Sequence, residues 1–371
     1  MKIKPFIKDI TIIGLLSVAL LKTIDISTGI LFNIDLTRIR PSKRYIDLRE
    51  LGTKQNILIK PSKSFLGTTL NLDDKKYSLK LNNDGFIEGG DEYHRSIKNI
   101  KDADLYFVGG STTENLYVSQ ESRFPTLVGE KLSDSLNRPI KSINAGMSGN
   151  NTLHSHLNFL AKGAKYNPKI ILIMHNVNDW STLSRSGSYW NAPISRSIVR
   201  EFKTESIIST ISRSIKDKLI PNTWAIINAL KDNKTRTEWD GIYKSAKFNE
   251  KHIIKEYELS IMGFIKNIQT REGKVVLMTQ PNQLKVLAKN NPDFLRNISH
   301  LDPKLMIKLQ TSINDKIREI SKDNGIMLID LAKMQNLKNE DYYDSHHLNS
   351  KGNKKVAQYI TNQLNTNIKF K

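Results

Sequence analysis

Four short stretches of the chain supply the residue types that an attack on an acyl carbonyl needs. Ser111 follows the apolar start of "YFVGGSTTENLYV" (106 to 118), behind two glycines that remove side-chain bulk just before it. Gly149 lies in "NAGMSGNN" (144 to 151) and Asn178 in "HNVND" (175 to 179). Asp344 and His347 are spaced Asp-x-x-His in "YYDSHHLNSKGN" (342 to 353). A serine at a strand-to-helix turn can expose its Oγ as a nucleophile and offer its own N–H at a helix start. A histidine takes the serine proton as general base and returns it as general acid, while an aspartate holds its tautomer and balances its charge. Glycine N–H groups and an asparagine amide are donors that a developing oxyanion requires. Chain order Ser…Asp…His is one of several that carry this geometry.

Taken singly, each residue has an ordinary use. Ser111 would cap a helix, Gly149 would serve a turn, Asn178 and Asp179 would form a loop pair, and Asp344 would cap the last helix. Other candidates carry less. His154 and His156 face different directions on a predicted helix, and the adjacent His346 and His347 diverge, so no metal site is expected. "GGSTTEN" lacks the Gly-Lys-Ser/Thr of a phosphate loop, and no GxSxG elbow occurs; no cofactor is implied. The chain has no cysteine, which excludes disulfides, thiolate metal sites and a thiol nucleophile. Trp180, Tyr189 and Trp190 follow Asn178 and are candidates for stacking on a sugar ring, with ordinary packing as the alternative.

The elements that must position these residues show in the apolar pattern. The 371 residues allow a sizeable core and about two domains. Strands are predicted at Asp104 to Val108, Lys141 to Asn144, Ile170 to Met174, Lys274 to Thr279 and Ile326 to Ile329. Helices are predicted at Phe124 to Leu136, Thr152 to Tyr166, Phe248 to Arg271, Pro303 to Asn324 and Ser350 to Leu364. Short apolar strands alternating with helices indicate a parallel sheet covered on both faces. The expectation is a three-layer α/β/α, flavodoxin-like domain with a five-stranded parallel sheet, over residues 101 to 371. Ligands gather at the carboxyl ends of such strands, near which the four stretches fall. Residues 181 to 247 break the rhythm and read as a polar, basic, helical insertion after the third strand that covers or shapes the site. Residues 33 to 100 read as a β-rich lead-in, with strand-like runs at 56 to 60 and 77 to 81 and a turn at "NNDGF" (82 to 86).

At the N-terminus, Lys2, Lys4 and Lys8 precede the apolar "ITIIGLLSVALL" (10 to 21). That run alone is shorter than the roughly 20 residues a bilayer span needs. Ile10 to Phe32 would span if Lys22 and Asp25 paired one turn apart. With no A-x-A cleavage site, residues 1 to 32 read as an uncleaved signal-anchor or transmembrane segment of open orientation, a buried amphipathic helix being the alternative. The remaining chain is then expected outside the cytoplasm, at the cell envelope. A net charge of +20 suits an acidic glycan or lipid surface, or simply a solvated lysine-rich exterior. An envelope location argues against nucleic acid as a partner.

In this order the four stretches resemble the conserved blocks of the SGNH hydrolases, the GDSL esterase/lipase superfamily, over about residues 101 to 366. The resemblance implies Ser111 as nucleophile, Asp344 and His347 as its catalytic partners, and an oxyanion hole formed by Ser111, Gly149 and Asn178. Two positions depart from the pattern: Gly110 stands for the aspartate before the serine, and Asn176 for the glycine that opens the third block. Asn176 is expected to narrow the pocket or add a donor to it. The resemblance to membrane-anchored members further implies an esterase acting on O-acyl groups, chiefly O-acetyl, of an acylated envelope polysaccharide. An O-acetyltransferase on the same substrates, or a non-catalytic glycan-binding or assembly protein on the same scaffold, stands as the alternative. A lipase is the third option, though residues 181 to 247 are too polar for an apolar lid.

Overall fold

The computed structural model describes residues 3–31, 44–53, 56–89, 102–191, 197–201 and 249–370. Its strands are β1 (Arg44–Ile46), β2 (Asn56–Ile59), β3 (Tyr77–Lys80), β4 (Leu105–Gly109), β5 (Ser142–Asn144), β6 (Ile170–Met174), β7 (Val199–Glu201), β8 (Lys274–Met278) and β9 (Met327–Ile329). The helices are α1 (Ile3–Leu31), α2 (Lys63–Leu66), α3 (Ser111–Glu114), α4 (Phe124–Leu136), α5 (Thr152–Asn158), α6 (Val177–Ser186), α7 (Glu250–Thr270), α8 (Leu284–Asn290), α9 (Pro292–Ile298), α10 (Pro303–Asp323) and α11 (Ser350–Asn367). The chain divides into two units, residues 1–46 with 199–224, and residues 47–198 with 225–371.

In the larger unit, five parallel strands take the order β5-β4-β6-β8-β9. Both faces are buried, and alternation along each strand sorts its side chains between two cores. Leu105 and Phe107 of β4 join Leu172, Met174 and Val276 against α4 and α11. Tyr106 and Val108 join Ile171, Ile173 and Leu277 against α7 and α10. This is why the strands read as continuous apolar runs rather than as alternating ones. Each fully buried Leu, Ile or Phe contributes about 1.5–3 kcal/mol, so the two cores account for the three-layer arrangement.

Several elements depart from the sequence expectation. The predicted helix at 152 to 166 keeps regular turns only to Asn158; a wide π-type turn covers Phe159–Gly163 and a 3₁₀ turn Ala164–Tyr166. A Cβ at Gly163 would fall 2.4 Å from the Tyr106 hydroxyl, so only glycine fits where this segment meets the sheet. Residues 181–186 continue α6, with Leu183 in the core, rather than opening an insertion. Most of the insertion predicted at 181 to 247 lies outside the described residues. Two short helices, α8 and α9, fill the stretch after β8 for which no element is predicted; the second starts at Pro292, with the Asn291 side chain capping Phe294 N.

Within the lead-in, β2 and β3 pair antiparallel. The turn at 82–86 closes on Asn82 Oδ1, which accepts from Asp84 N and Phe86 N, with Gly85 at φ +72°. Ile87 N then donates to Asn144 O at 3.1 Å, reaching edge strand β5. Arg123 is fully buried and donates to Ser78 O and Asn115 O. These bonds make residues 56–89 part of the same packed body as the sheet.

In the smaller unit, α1 exposes Ile12, Ile13, Leu15, Leu16, Val18, Leu20 and Leu21, and β1 pairs antiparallel with β7. Among the described residues, no helix is long and apolar enough to cross a membrane. The expected span at 1 to 32 is therefore not met. The uninterrupted run Ile10 to Leu21 rises only about 18 Å at roughly 1.5 Å per residue, against about 30 Å of hydrocarbon. The Asp25 side chain, and with it the expected Lys22–Asp25 pair, lies outside what is described.

Gly146 marks the tightest backbone contact of the sheet's upper edge. A Cβ there would fall 2.3 Å from Glu114 N and 2.7 Å from Thr113 C. Gly146→Ala is expected to lower stability by about 1–3 kcal/mol, read as a lower urea midpoint. A wild-type midpoint would mean that the loop after β5 does not pack on α3.

Candidate active site

Strand β4 ends on Gly109, and Gly110 (φ −88°, ψ −152°) turns the chain into α3, whose first residue is Ser111. The two glycines answer to close approach. A Cβ on Gly109 would fall 2.1 Å from Thr113 Oγ1 and 2.7 Å from Met174 O, while one on Gly110 would fall 2.2 Å from Asn178 Nδ2. Ser111 does not cap the helix, since that position belongs to Gly110. Its Oγ lies 2.7 Å from His347 Nε2 instead.

His347 Nδ1 lies 2.7 Å from Asp344 Oδ2, and the N–H groups of His346 and His347 donate to Asp344 Oδ1 at 2.9 and 2.8 Å. Asp344 is thus saturated by donors while it holds the imidazole. The Tyr343 ring stacks on the His347 ring with centroids 5.3 Å apart and planes 4° from parallel. Gln283 donates to Asp344 O and Ser345 O, and Leu70 N of the lead-in donates to Tyr343 O at 2.7 Å. Asn353 of α11 accepts from Phe124 N and donates to Asn115 Oδ1 and Leu348 O, joining this loop to the end of α3.

The electrostatics follow from burial opposed by charge. Burial alone would depress the His347 imidazolium; the charge and hydrogen bond of Asp344, joined by the charge of Glu114, outweigh it and hold His347 above the ordinary histidine value. Burial would raise Asp344, but the charge and hydrogen bond of His347 hold it below the usual carboxylate range. His346 is buried, which pushes it down to about 4, and its Nδ1 pairs with Ser345 Oγ at 2.8 Å. It is a neutral loop residue.

Two of the three oxyanion candidates, Gly149 and Asn178, meet at Asn150, and the third, Ser111, follows Gly110 beside them. Asn178 Nδ2 donates to Asn150 O at 2.9 Å, next to Gly149, which sits at φ +74°, and Asn178 abuts Gly110. Asn150 O takes one of the two hydrogens that the Asn178 amide carries. Val177 N donates to Gln280 Oε1 at 2.9 Å, and Gln280 Nε2 donates to Thr112 Oγ1 at 2.8 Å, so the first turns of α6 and α3 share one anchor.

Three expectations are corrected. Asn176 neither narrows the pocket nor adds a donor to it: it is buried, and its amide donates to Gln310 O and Asn314 Oδ1 of α10. Trp180 is 2% exposed and donates to Gln310 Oε1, and Tyr189 is 4% exposed and donates to Asp179 Oδ1 at 2.6 Å. Both are core residues, unable to stack on a sugar: α6 turns Trp180 inward, and the 3₁₀ turn Tyr189–Asn191 beyond it places Tyr189 there too. Trp190 is 67% exposed and keeps that option. His154 caps its own helix through Asn151, and His156 stacks on Phe264.

Sequence reasoning missed Tyr343, Arg49 and Glu114. Arg49 Nε donates to Ser148 O at 3.1 Å, and Asn158 donates to Arg49 O at 2.8 Å, bracing the loop that carries Gly149. Glu114 accepts from Ser148 Oγ; burial pushes its carboxyl up to about 7 against the opposing effects of Ser148 and Arg123. Position offered one signal for Tyr343 and Glu114: the first directly precedes Asp344, and the second stands one helical turn beyond Ser111.

A family model described as GDSL-like lipase/acylhydrolase matches residues 107–355. The solved structures similar to this chain include a lipase/acylhydrolase from Enterococcus faecalis, 14% identical with a TM-score of 0.43, over 72% of this chain and 98% of that one. An acetyl xylan esterase, AlAXEase, is 19% identical with a TM-score of 0.41, over 71% and 99% of the two chains. A two-domain esterase active on acetylated mannans is 16% identical with a TM-score of 0.39, over 71% of this chain and 49% of its own. No curated protein matches the chain in sequence.

The contact between Gly110 and Asn178 is directly testable. A methyl group at position 110 must push the Asn178 amide off Asn150. Gly110→Ala is expected to slow turnover of a 4-nitrophenyl ester on the order of 100-fold, the scale of losing one oxyanion donor, with little change in the thermal midpoint. Wild-type turnover in this variant would remove Asn178 from the reaction.

Proposed function

This chain belongs to the GDSL-like lipase/acylhydrolase family and is a serine ester hydrolase, and from that premise we propose that it removes O-acyl groups, chiefly O-acetyl, from an envelope glycan through an acyl-Ser111 intermediate. The observation that carries this reading is the chain of short contacts from Ser111 Oγ to His347 to Asp344. Ser111 Oγ attacks the ester carbonyl and its proton passes to His347 Nε2. As the C–O bond to the sugar breaks, the imidazolium, balanced by Asp344, gives its proton to the departing sugar oxygen, which leaves as a hydroxyl. Negative charge on the carbonyl oxygen is met by Ser111 N–H, Gly149 N–H and the second amide hydrogen of Asn178. Water activated by the same histidine resolves the acyl-serine. A sugar hydroxyl in its place would give transfer instead of hydrolysis, and analysis of the products separates the two outcomes.

The choice of a short acyl group on a sugar is supported by polarity. Asn150, Asn178 and His347 surround Gly110 and Ser111, with the Thr112–Gln280 pair just behind. The excess of positive charge favours an anionic polymer or surface. Helix α1 exposes apolar side chains around its whole circumference between Thr11 and Leu21, the pattern of a segment that enters lipid. The enzyme is tethered to the envelope membrane by partial insertion of α1, with Lys22 limiting its depth.

Two measurements test the reading. Ser111→Ala is expected to lower hydrolysis of a small acetyl ester on the order of 10⁴-fold or more with the fold intact, and the wild type is expected to prefer acetyl over octanoyl esters. Because the base must be neutral and His347 is held high, the wild-type rate is expected to rise with pH through a midpoint above the ordinary histidine value. A fully active Ser111→Ala would displace Ser111 as nucleophile. For the tether, the full chain should float with anionic vesicles and a chain lacking residues 1–32 should not; equal flotation would place the lipid contact elsewhere.

A further inference from the structure

Hydrolysis through Ser111, His347 and Asp344 leaves several buried acids without a use, and Glu114 is the one on the nucleophile's own helix. Glu114 ends the four-residue helix that Ser111 begins and is 1% exposed. Its carboxylate accepts from Ser148 Oγ, the residue before Gly149. Glu114 N lies so near Gly146 that no Cβ fits between, and Asn144 Nδ2 reaches Glu114 O at 3.4 Å. From the other side, Arg49 Nε holds Ser148 O. The loop after β5 is therefore gripped at Ser148 between a buried carboxylate and an arginine.

The same carboxylate acts on the base. The charged and titratable groups around it are Arg123, His347, Tyr117 and Tyr343. Those around His347 are Asp344, Glu114 and His346, with the Tyr343 ring stacked upon it. A glutamine would occupy the same volume and accept the same Ser148 hydrogen without the desolvation of a charge. Packing alone therefore does not account for an acid here.

We propose that Glu114 is a positioning residue of the esterase site, holding the Gly149 loop through Ser148 and supporting the positive charge that His347 acquires as Ser111 attacks. The inference rests on the ester-hydrolase reading above. Burial pushes the Glu114 carboxyl up to about 7, so its charge is set near neutral pH rather than in acid. An ionised Glu114 favours the imidazolium and keeps His347 high; a neutral residue lets His347 titrate lower. The sign for stability is opposite: a carboxyl raised above its unfolded value loses its stabilising contribution as pH rises from the unfolded value through about 7.

The test is the pH dependence of covalent labelling of the full chain by a fluorophosphonate. Ser111 Oγ forms a bond to phosphorus, fluoride leaves, and the serine proton goes to His347, so the acid limb of the rate reports that histidine without needing a natural substrate. Glu114→Gln keeps the Ser148 contact and removes the charge. Its acid limb is expected to fall to lower pH by about one unit, the scale of a nearby charge, with a thermal midpoint no lower than that of the wild type. Ser148→Ala keeps the charge and loosens the loop; its plateau rate is expected to fall on the order of tenfold with the limb still on the high side. An unmoved limb and plateau in Glu114→Gln, or a lowered thermal midpoint with an unmoved limb, would overturn this inference and leave the hydrolase reading standing. Failure of the wild type to label at any pH would overturn both.

Discussion

Everything at this site depends on how closely three backbone segments approach at the carboxyl edge of the sheet. The turn after β4, the loop after β5 and the start of α6 meet at distances that exclude side chains. A Cβ on Gly109, Gly110 or Gly146 would fall within 2.7 Å of another segment's atoms. Glycine carries an entropic cost in the unfolded chain, and here it leaves room for a nucleophile and its oxyanion donors to converge without bulk between them. The asparagine that supplies the side-chain donor can stand where it does because position 110 has no side chain.

Onto that steric frame the chain builds a buried electrostatic one. Asp344 takes three hydrogen bonds from His346 and His347 and stays ionised despite burial. Glu114 and Arg123, both buried, meet the C-terminal end of Ser111's helix. Desolvation of such charges is expensive unless they are paired and hydrogen-bonded. The protein meets that cost with partners from distant elements: Ser148 donates to Glu114, Arg123 donates to Ser78 O and Asn115 O, and Gln283 and Leu70 of the lead-in fix the backbone around Asp344. The lead-in belongs to the site's support for this reason. Without it the histidine loop and Arg123 would lose partners.

Much of this was legible in the sequence, for identifiable reasons. Two-sided burial made β4, β6 and β8 continuous apolar runs, and residues such as Ser111 and Asp344 declared themselves by type and spacing. What did not show was anything decided by where a helix faces. Trp180 and Tyr189 look like exposed aromatics in a polar stretch, yet the rotation of α6 turns Trp180 into the core and the turn after that helix carries Tyr189 there. Asn176 reads as a pocket residue until α10 supplies Gln310 and Asn314 as its partners from more than 130 positions away. Glu114 is unremarkable in "STTE" because its significance lies in Ser148, which no local pattern links to it. Residues α8 and α9 cover are too short and irregular for periodicity to register.

The separation of the nucleophile from its base along the chain has a consequence for biogenesis. Ser111 and His347 are 236 positions apart, and Asn353 ties the final helix back to Asn115 and to Phe124 N. Synthesis proceeds from the N-terminus, so the serine, the oxyanion loop and most of the sheet emerge before the histidine exists. Ordering so distant a contact demands the closure of a very long loop, which is slow relative to local structure. Until residue 347 has emerged, the nascent polypeptide carries a nucleophile with no histidine to deprotonate it, so hydrolytic competence arrives late in synthesis. The helix that follows then closes one face of the sheet and ties the new base in place in the same event.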